Sequence, residues 1–295
     1  MVLLVNNEKN KGIIFMLAAA VSFAMMFVMI KFSGDLPTVQ KAFFRNIVAF
    51  IFAIILLRNN GEKIELSKKA VRDLILRSVF GLTAVLCNFY AVDHLILADA
   101  NMLTNTNPFF AILISYFLLK EKIKPYQIVA IVVAFIGCMF VIKPSFQISD
   151  FGDSLIGLCG GILAGAAYAW LRKLGAHKVP ANFVVAFFSG FSCIAILPFM
   201  IFGYSHMTVN QLIILLIAGV FASFGQFFVT NAYYHAPAKE ISVYMYTQVL
   251  FAAVLGFIVF DQVPDKYSVT GYLIVISMGI FMFFKKKNEI QKDII

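Results

Sequence analysis

Residues 98–121, ADANMLTNTNPFFAILISYFLLKE, decide the fold. The first half holds Asn101, Thr104, Asn105, Thr106, Asn107 and Pro108, whereas the second half is almost wholly apolar and closes on Lys120 and Glu121. Residues 238–261, AKEISVYMYTQVLFAAVLGFIVFD, repeat that order: polar first (Ser242, Tyr244, Tyr246, Thr247, Gln248), then apolar, then an acid. A polar half inside an apolar helix has to face inward, because lipid offers its side chains no hydrogen-bond partner. Two such segments therefore predict a polar interior within an apolar bundle.

The rest of the chain supplies that bundle. Of its 295 residues 61% are hydrophobic and 13% charged, with a mean hydropathy of +0.90, against about 45–50% apolar and about 25% charged in a soluble domain. Apolar runs recur along the whole length, each long enough at about 1.5 Å per residue to cross a hydrocarbon core of about 30 Å. Period-2 alternation is absent, so the expected fold is an all-α integral membrane protein rather than a barrel. Ten spans are marked at residues 12–32, 38–57, 74–92, 98–119, 126–142, 155–171, 182–202, 211–233, 241–260 and 267–284. The run that opens the chain resembles a signal peptide but is longer than a typical apolar core of one, and it is counted as the first span.

Sorting Lys and Arg by alternate loops sets the orientation. Only Lys31, Lys41, Lys143 and Lys266 fall on one side, with Arg45 inside a span, out of 24 Lys and Arg in total. Both termini are therefore expected in the cytoplasm. The net charge of +9 belongs to these loops and gives no nucleic-acid face. Cys87, Cys138, Cys159 and Cys193 lie in spans at unrelated spacings and read as packing residues, not a disulfide or zinc framework.

Internal repetition divides the chain. Asn88-Phe-Tyr90 near the end of span 3 matches Asn231-Ala-Tyr233 at the end of span 8, and Met29-Ile-Lys31 sits in span 1 as Leu171-Arg-Lys173 does in span 6. The expected organisation is a terminus at residues 1–11, a five-helix repeat at 12–143, a connection at 144–154, a second repeat at 155–284 and a basic tail at 285–295. Five is odd, so the second repeat enters the membrane from the opposite side, an architecture recurrent in secondary transporters.

These residues resemble the ten-helix EamA-type branch of the drug/metabolite transporter superfamily. The resemblance is carried by AFFRN at 42–46, NFYAVDHLILADANMLTNTNPFFAIL at 88–113, KEKIKPYQIVAIVVAFIG at 120–137 and YHAPAKEISVYMYTQVLFAAVLGFIVFDQVPD at 234–265. It covers nearly the whole chain, departs from the usual pattern at Asp261 and at Pro264-Asp265, and is nearly silent on substrate. It implies a central cavity lined by spans 1–4 and 6–9, with the last span of each half at the periphery.

Independently of that resemblance, helical spacing puts Asn101, Thr104, Asn105 and Pro108 on one face. Pro108 is expected to kink the helix and to free a carbonyl near Thr104. Tyr244, Thr247 and Gln248 of span 9, Gln226 and Asn231 of span 8, and Asn88 and Tyr90 of span 3 complete a candidate lining suited to a neutral or zwitterionic solute. Trp170, beside Tyr168, reads as an interfacial anchor. Arg45, about 10 Å deep at 1.5 Å per residue, and Lys41 one turn above it are expected to form a gate with Asp93 or Asp99, ahead of direct contact with substrate. Arg77, near the inner end of span 3, reads as snorkelling. Gly157, Gly161 and Gly165 read as a packing face.

No acid sits at mid-membrane, which gives no support for proton coupling through a buried carboxylate; uniport, exchange and coupling through an edge residue stay open. The chain has no GxxxxGK[ST] and no HExxH, so neither an ATP site nor an enzyme is expected, and no cofactor or metal is called for. The expected activity is secondary transport, as exporter or exchanger, of a small metabolite such as an amino acid, a nucleoside or purine derivative, or S-adenosylmethionine. A non-transporting membrane scaffold or sensor is the alternative. The partners expected are the small-molecule substrate and the lipid bilayer of the cell membrane; a monomer suffices and a homodimer is compatible.

Overall fold

A computed structural model describes residues 2–60, 66–119, 123–142, 148–236 and 241–292, and every element in them is helical. Helices α1 (Val2–Phe32), α2 (Thr38–Asn60) and α3 (Lys68–His94) come first, then α4 (Leu97–Thr104), α5 (Asn107–Leu119) and α6 (Pro125–Ile142). The second half holds α7 (Ile148–Ala176), α8 (Ala181–Phe202) and α9 (Val209–His235). A 3₁₀ turn at Ser242–Tyr246 then leads into α10 (Thr247–Phe260), and α11 (Lys266–Lys292) closes the chain. Among the described residues six helices are long and apolar enough to cross a membrane, with shorter apolar helices at Pro125–Val141, Tyr244–Phe260 and Lys266–Phe281.

Several boundaries differ from the sequence expectation. α1 runs from Val2 and α11 to Lys292, so both terminal segments continue their helices. α3 begins at Lys68 and α7 at Ile148, each well before the apolar run that marked it. Polar residues extend these helices because their ends reach past the apolar layer, where helical hydrogen bonding needs no lipid-compatible side chain. Of the expected connection at 144–154, residues 144–147 lie outside the described residues, as do Lys120, Glu121, Lys122, Lys143, Lys239 and Glu240 of the charge count.

Helix ends are fixed by the expected chemistry. Ser67 caps α3 by accepting from the Ala70 N–H at 3.2 Å. Thr208 and Gln211 form a reciprocal capping box at the start of α9. α10 ends in a left-handed residue, Asp261 at φ 51°, which lets the Gln262 N–H turn back to Gly256 O at 3.0 Å.

The helices pair in a pattern that survives exchanging each element with its counterpart in the other half. α1 packs along α9 as α7 packs along α3, α4 and α5 lie on α7 as the 3₁₀ turn and α10 lie on α1, and α2 crosses α9 as α8 crosses α3. α2 against α8, α4 against α10 and α6 against α11 close the set. The outer surface is apolar, with Phe202 92% exposed and Ile194, Phe199 and Phe117 also uncovered. Such a surface would be a liability in water and matches lipid.

The fourth span is broken rather than kinked. α4 ends at Thr104, the Asn105 N–H still reaches Asn101 O at 2.9 Å, and the chain restarts at Asn107. Pro108 thus sits in the first turn of α5, where its missing N–H has no helical partner to lose. The freed carbonyl of Thr104 is not left open: Asn107 Nδ2 donates to it at 2.8 Å. The glycine face of α7 receives this break. A Cβ on Gly161 would meet Thr106 Oγ1 and Leu103 O, and one on Gly165 would stand 2.7 Å from Asn107 O.

Candidate functional site

At the centre of the bundle lies a cavity of about 60 Å³, far below the about 300–1,000 Å³ of a ligand pocket and room for a few waters. Its wall is drawn from α1–α5, α7–α10 and the 3₁₀ turn, and α6 and α11 contribute no lining residue. The polar part is compact: Arg45, Arg77, Asn88, Thr104, Asn105, Asn107, Gln226 and Gln248, with Tyr168 beside them. Among the described residues no Asp or Glu lines it. Among the described residues no cluster of His, Cys, Asp or Glu suits a metal ion.

Of the candidates read from the sequence, Arg45, Asn88, Thr104, Asn105, Gln226 and Gln248 line this cavity. Asn101 stands directly behind it, fully buried, its Oδ1 accepting from Gln248 Nε2 at 2.6 Å. That bond ties the two polar segments with which the sequence opened. Tyr90 lies elsewhere, donating its O–H to Asp153 at 3.0 Å. Asn231 Nδ2 donates to Phe227 O at 2.8 Å, and Thr247 Oγ1 to Tyr244 O at 2.7 Å; none of these three lines the cavity. Asp99 accepts from the Tyr272 O–H at 2.5 Å.

Arg77 does not snorkel. It is 2% exposed, and its Nη2 donates to Gln226 Oε1 at 3.0 Å. Its Cζ lies 3.8 Å from the centre of the Phe188 ring, and Arg45 Cζ lies 5.7 Å from the same ring. Arg45, 1% exposed, donates Nη1 to Asn46 Oδ1 at 2.9 Å. Arg45 Nε, Arg77 Nε and Arg77 Nη1 are buried with no hydrogen-bond partner. Neither arginine has an acidic partner among the described residues. Gly81, one turn after Arg77, makes the space: a Cβ there would stand 2.9 Å from Arg77 Nη1 and 3.0 Å from Phe188.

An ion pair lies near each end of α3. Near the last turn of α3, Asp93 accepts from Lys41 at 2.6 Å, the lysine 1% exposed. Lys31 at the end of α1 donates beside it, to Val92 O at 2.9 Å and Leu95 O at 2.7 Å. The Lys41–Asp93 pair is thus one of the alternatives expected for a gate, whereas Arg45 joins neither Asp93 nor Asp99. Near the first turns of α3, the wholly buried Asp73 pairs with Lys173 of α7 at 3.0 Å, with His177 Nε2 at 3.8 Å and Arg72 at 3.5 Å.

Sequence reasoning missed Arg77, Tyr168, Phe188 and Asn107 as lining. The signal for Arg77 was present in the charges before it: Lys68, Lys69, Arg72 and Asp73 all belong to α3, which puts Arg77 deeper than the apolar run implied.

Comparison with known proteins fits this geometry. The sequence model of the EamA-like transporter family matches twice, over residues 10–143 and 151–285. A pseudopaline exporter of Pseudomonas aeruginosa is 30% identical over 281 residues, 95% of this chain and 98% of the exporter. An S-adenosylmethionine uptake transporter of Rickettsia prowazekii is 26% identical, covering 95% of each chain. Human solute carrier family 35 member G1 is 25% identical over 95% of this chain and 81% of its own length. A crystal structure with 12% sequence identity superposes with a TM-score of 0.69 over 92% of this chain and 95% of that one, a likeness of fold alone.

Proposed function

The chain belongs to the EamA-like transporter family, and from that premise we propose a secondary carrier that moves a small polar or zwitterionic metabolite, as exporter or exchanger, by alternating access. Membership makes it a multi-pass membrane transporter and not an enzyme. The observation that supports the mechanism is the central cavity with a cluster of polar side chains in its wall, together with an ion pair near either end of α3. A carrier needs a central site that opens to one side while shut to the other, and two separable seals on one helix supply the parts.

Ten spans in two inverted five-helix repeats are part of the same proposal. Two family matches of similar length and helix pairings that persist when the halves are exchanged both support it. The bias of Lys and Arg puts the termini, and with them the Asp73–Lys173 pair, on the cytoplasmic side; the Lys41–Asp93 pair then faces outward. With both pairs formed and only about 60 Å³ between them, the conformation is occluded. The substrate site is assigned to Asn88, Thr104, Asn105, Gln226 and Gln248 with Arg45 and Arg77, and Asn101 holds Gln248 in place.

The test is a thermal-shift screen of the purified protein against a metabolite library, followed by flux of each stabilising solute in proteoliposomes. A ligand at about 100 times its dissociation constant stabilises by about 2.7 kcal/mol, which a melting curve resolves. The expected result is counterflow of at least one stabilising solute. Stabilisation by a solute that never crosses the bilayer is the outcome a sensor predicts, and it overturns the carrier.

A further inference from the structure

We propose that the cavity, enlarged when it opens, selects a small metabolite bearing two acidic groups and one amine or hydroxyl, with Arg45 and Arg77, both against Phe188, as paired receptors for the acids. This deepens the carrier proposal, since it takes the cavity as the transport site. Three observations carry it.

The first is an imbalance of charge. Guanidinium groups stay protonated in proteins, so two full positive charges lie almost wholly buried in a lining without an acid. Both sit against one ring, at 5.7 and 3.8 Å from its centre, which keeps the two charges within about 9.5 Å of each other and their repulsion at about 1.7 kcal/mol or more at an effective dielectric of about 20. The Phe188 face relieves part of this through cation–π attraction, but it accepts no N–H bond in the plane of either fork. Two uncompensated buried cations are an arrangement that a dianion completes.

The second is the set of unused donors. Arg45 Nε, Arg77 Nε and Arg77 Nη1 have no partner, and carboxylates take such N–H groups in pairs. Three unused N–H positions on two guanidinium groups exceed the pair that one carboxylate takes. Two acidic groups on one carbon frame satisfy them together.

The third is a set of unused acceptors where α4 and α5 meet the lining. Asn105 Nδ2 donates to Asn101 O and Asn107 Nδ2 to Thr104 O, each at 2.8 Å. These bonds fix which way each amide points, and they leave Asn105 Oδ1 and Asn107 Oδ1 buried without a partner. Both oxygens call for a ligand N–H or O–H. A cavity with donors on the α2 and α3 side and acceptors on the α4–α5 side is matched by an amino- or hydroxy-dicarboxylate, or by the analogue with phosphate for one carboxylate. A solute with a net positive charge meets two arginines and is disfavoured.

Thermal shift of the full chain in detergent tests this with L-aspartate, L-malate, 3-phosphoglycerate, succinate, succinamide and putrescine as probes. The expected order is stabilisation by the first three, less by succinate, which lacks the donor, and none by the neutral diamide or the diamine. Arg45→Gln and Arg77→Gln are each expected to weaken the best acid by about 30-fold or more, and Arg77→Lys by less. Without ligand, both Gln variants are expected to melt at or above the wild type, because each removes an uncompensated buried charge; an arginine with a structural role alone would lower the melting temperature. Equal stabilisation by succinamide or putrescine, no stabilisation by any acid, or wild-type affinity in both Gln variants overturns the inference, and the probe series needs no variant to fold. In proteoliposomes the two proposals separate: an acid that binds through the arginines without crossing sinks transport and keeps this site, whereas flux of a neutral solute with no acid binding does the reverse.

Discussion

Replacing Gly161 by Ala adds one methyl group where α7 meets the break between α4 and α5. The new Cβ would stand 2.5 Å from Leu103 O, and closer still to Thr106 Oγ1, where ordinary contact begins at 3.4 Å. Leu103 O is backbone and Thr106 Oγ1 is held to it by a hydrogen bond of 2.6 Å, so neither moves aside alone. α7 has to retreat, at an overpacking cost of about 1–3 kcal/mol, partly offset by the helix propensity of Ala over Gly, about 1 kcal/mol. Gly152, on the same helix, is the control, because a Cβ there meets nothing within 4 Å and only the propensity gain applies. The two variants should differ by about 2 kcal/mol, or roughly 5 °C in melting temperature, measured side by side in one detergent. Gly161→Ala melting at or above Gly152→Ala would refute the close approach and the fit of the break into the glycine face.

Asn101→Leu is expected to cost about 1–3 kcal/mol by leaving Gln248 Nε2 unpaired in a buried site and to abolish flux; Asn101→Leu with Gln248→Leu should lose less stability than the sum of the single changes, and additive losses would deny the 2.6 Å contact. For the seals, Asp73→Asn is expected to speed maleimide modification of Ala84→Cys, a lining position, from the Asp73 face alone, and Asp93→Asn from the opposite face alone. A coupling near 1.4 kcal/mol makes each effect about tenfold. Equal acceleration from both faces in either variant would show that these pairs are not gates.

The sequence carried the polar interior because a mixed segment in lipid has one physical solution. Thr104 and Asn105 reached the cavity as their helical spacing required, and Gln248 met Asn101 across the two segments. Depth was the quantity that the sequence hid. An apolar run marks where lipid is, whereas α3 begins two turns before that run, and there Asp73 is buried and paired with Lys173 of α7 while Lys68, Lys69 and Arg72 stay exposed. Arg77 therefore looked terminal and proved central. Phe188 was one of 33 phenylalanines, and nothing local distinguishes a ring near two guanidinium groups from one that faces lipid. Residues matched by the repeat diverge in place: Asn88 lines the cavity whereas Asn231 bonds its own helix, and Tyr90 reaches Asp153 whereas Tyr233 stacks on Tyr168. Similar sequence in the two halves preserves the backbone path more faithfully than the role of a side chain.

In the proposed carrier, one ion pair near each end of a single helix would seal the two sides separately. Ions screen a charge pair only in the solution they occupy, with a Debye length near 8 Å at physiological strength. Lys41 is 1% exposed and Asp73 wholly buried, so salt raised on one face reaches that face's pair only weakly, and the opening bias of the proposed carrier is expected to be nearly independent of ionic strength on either side.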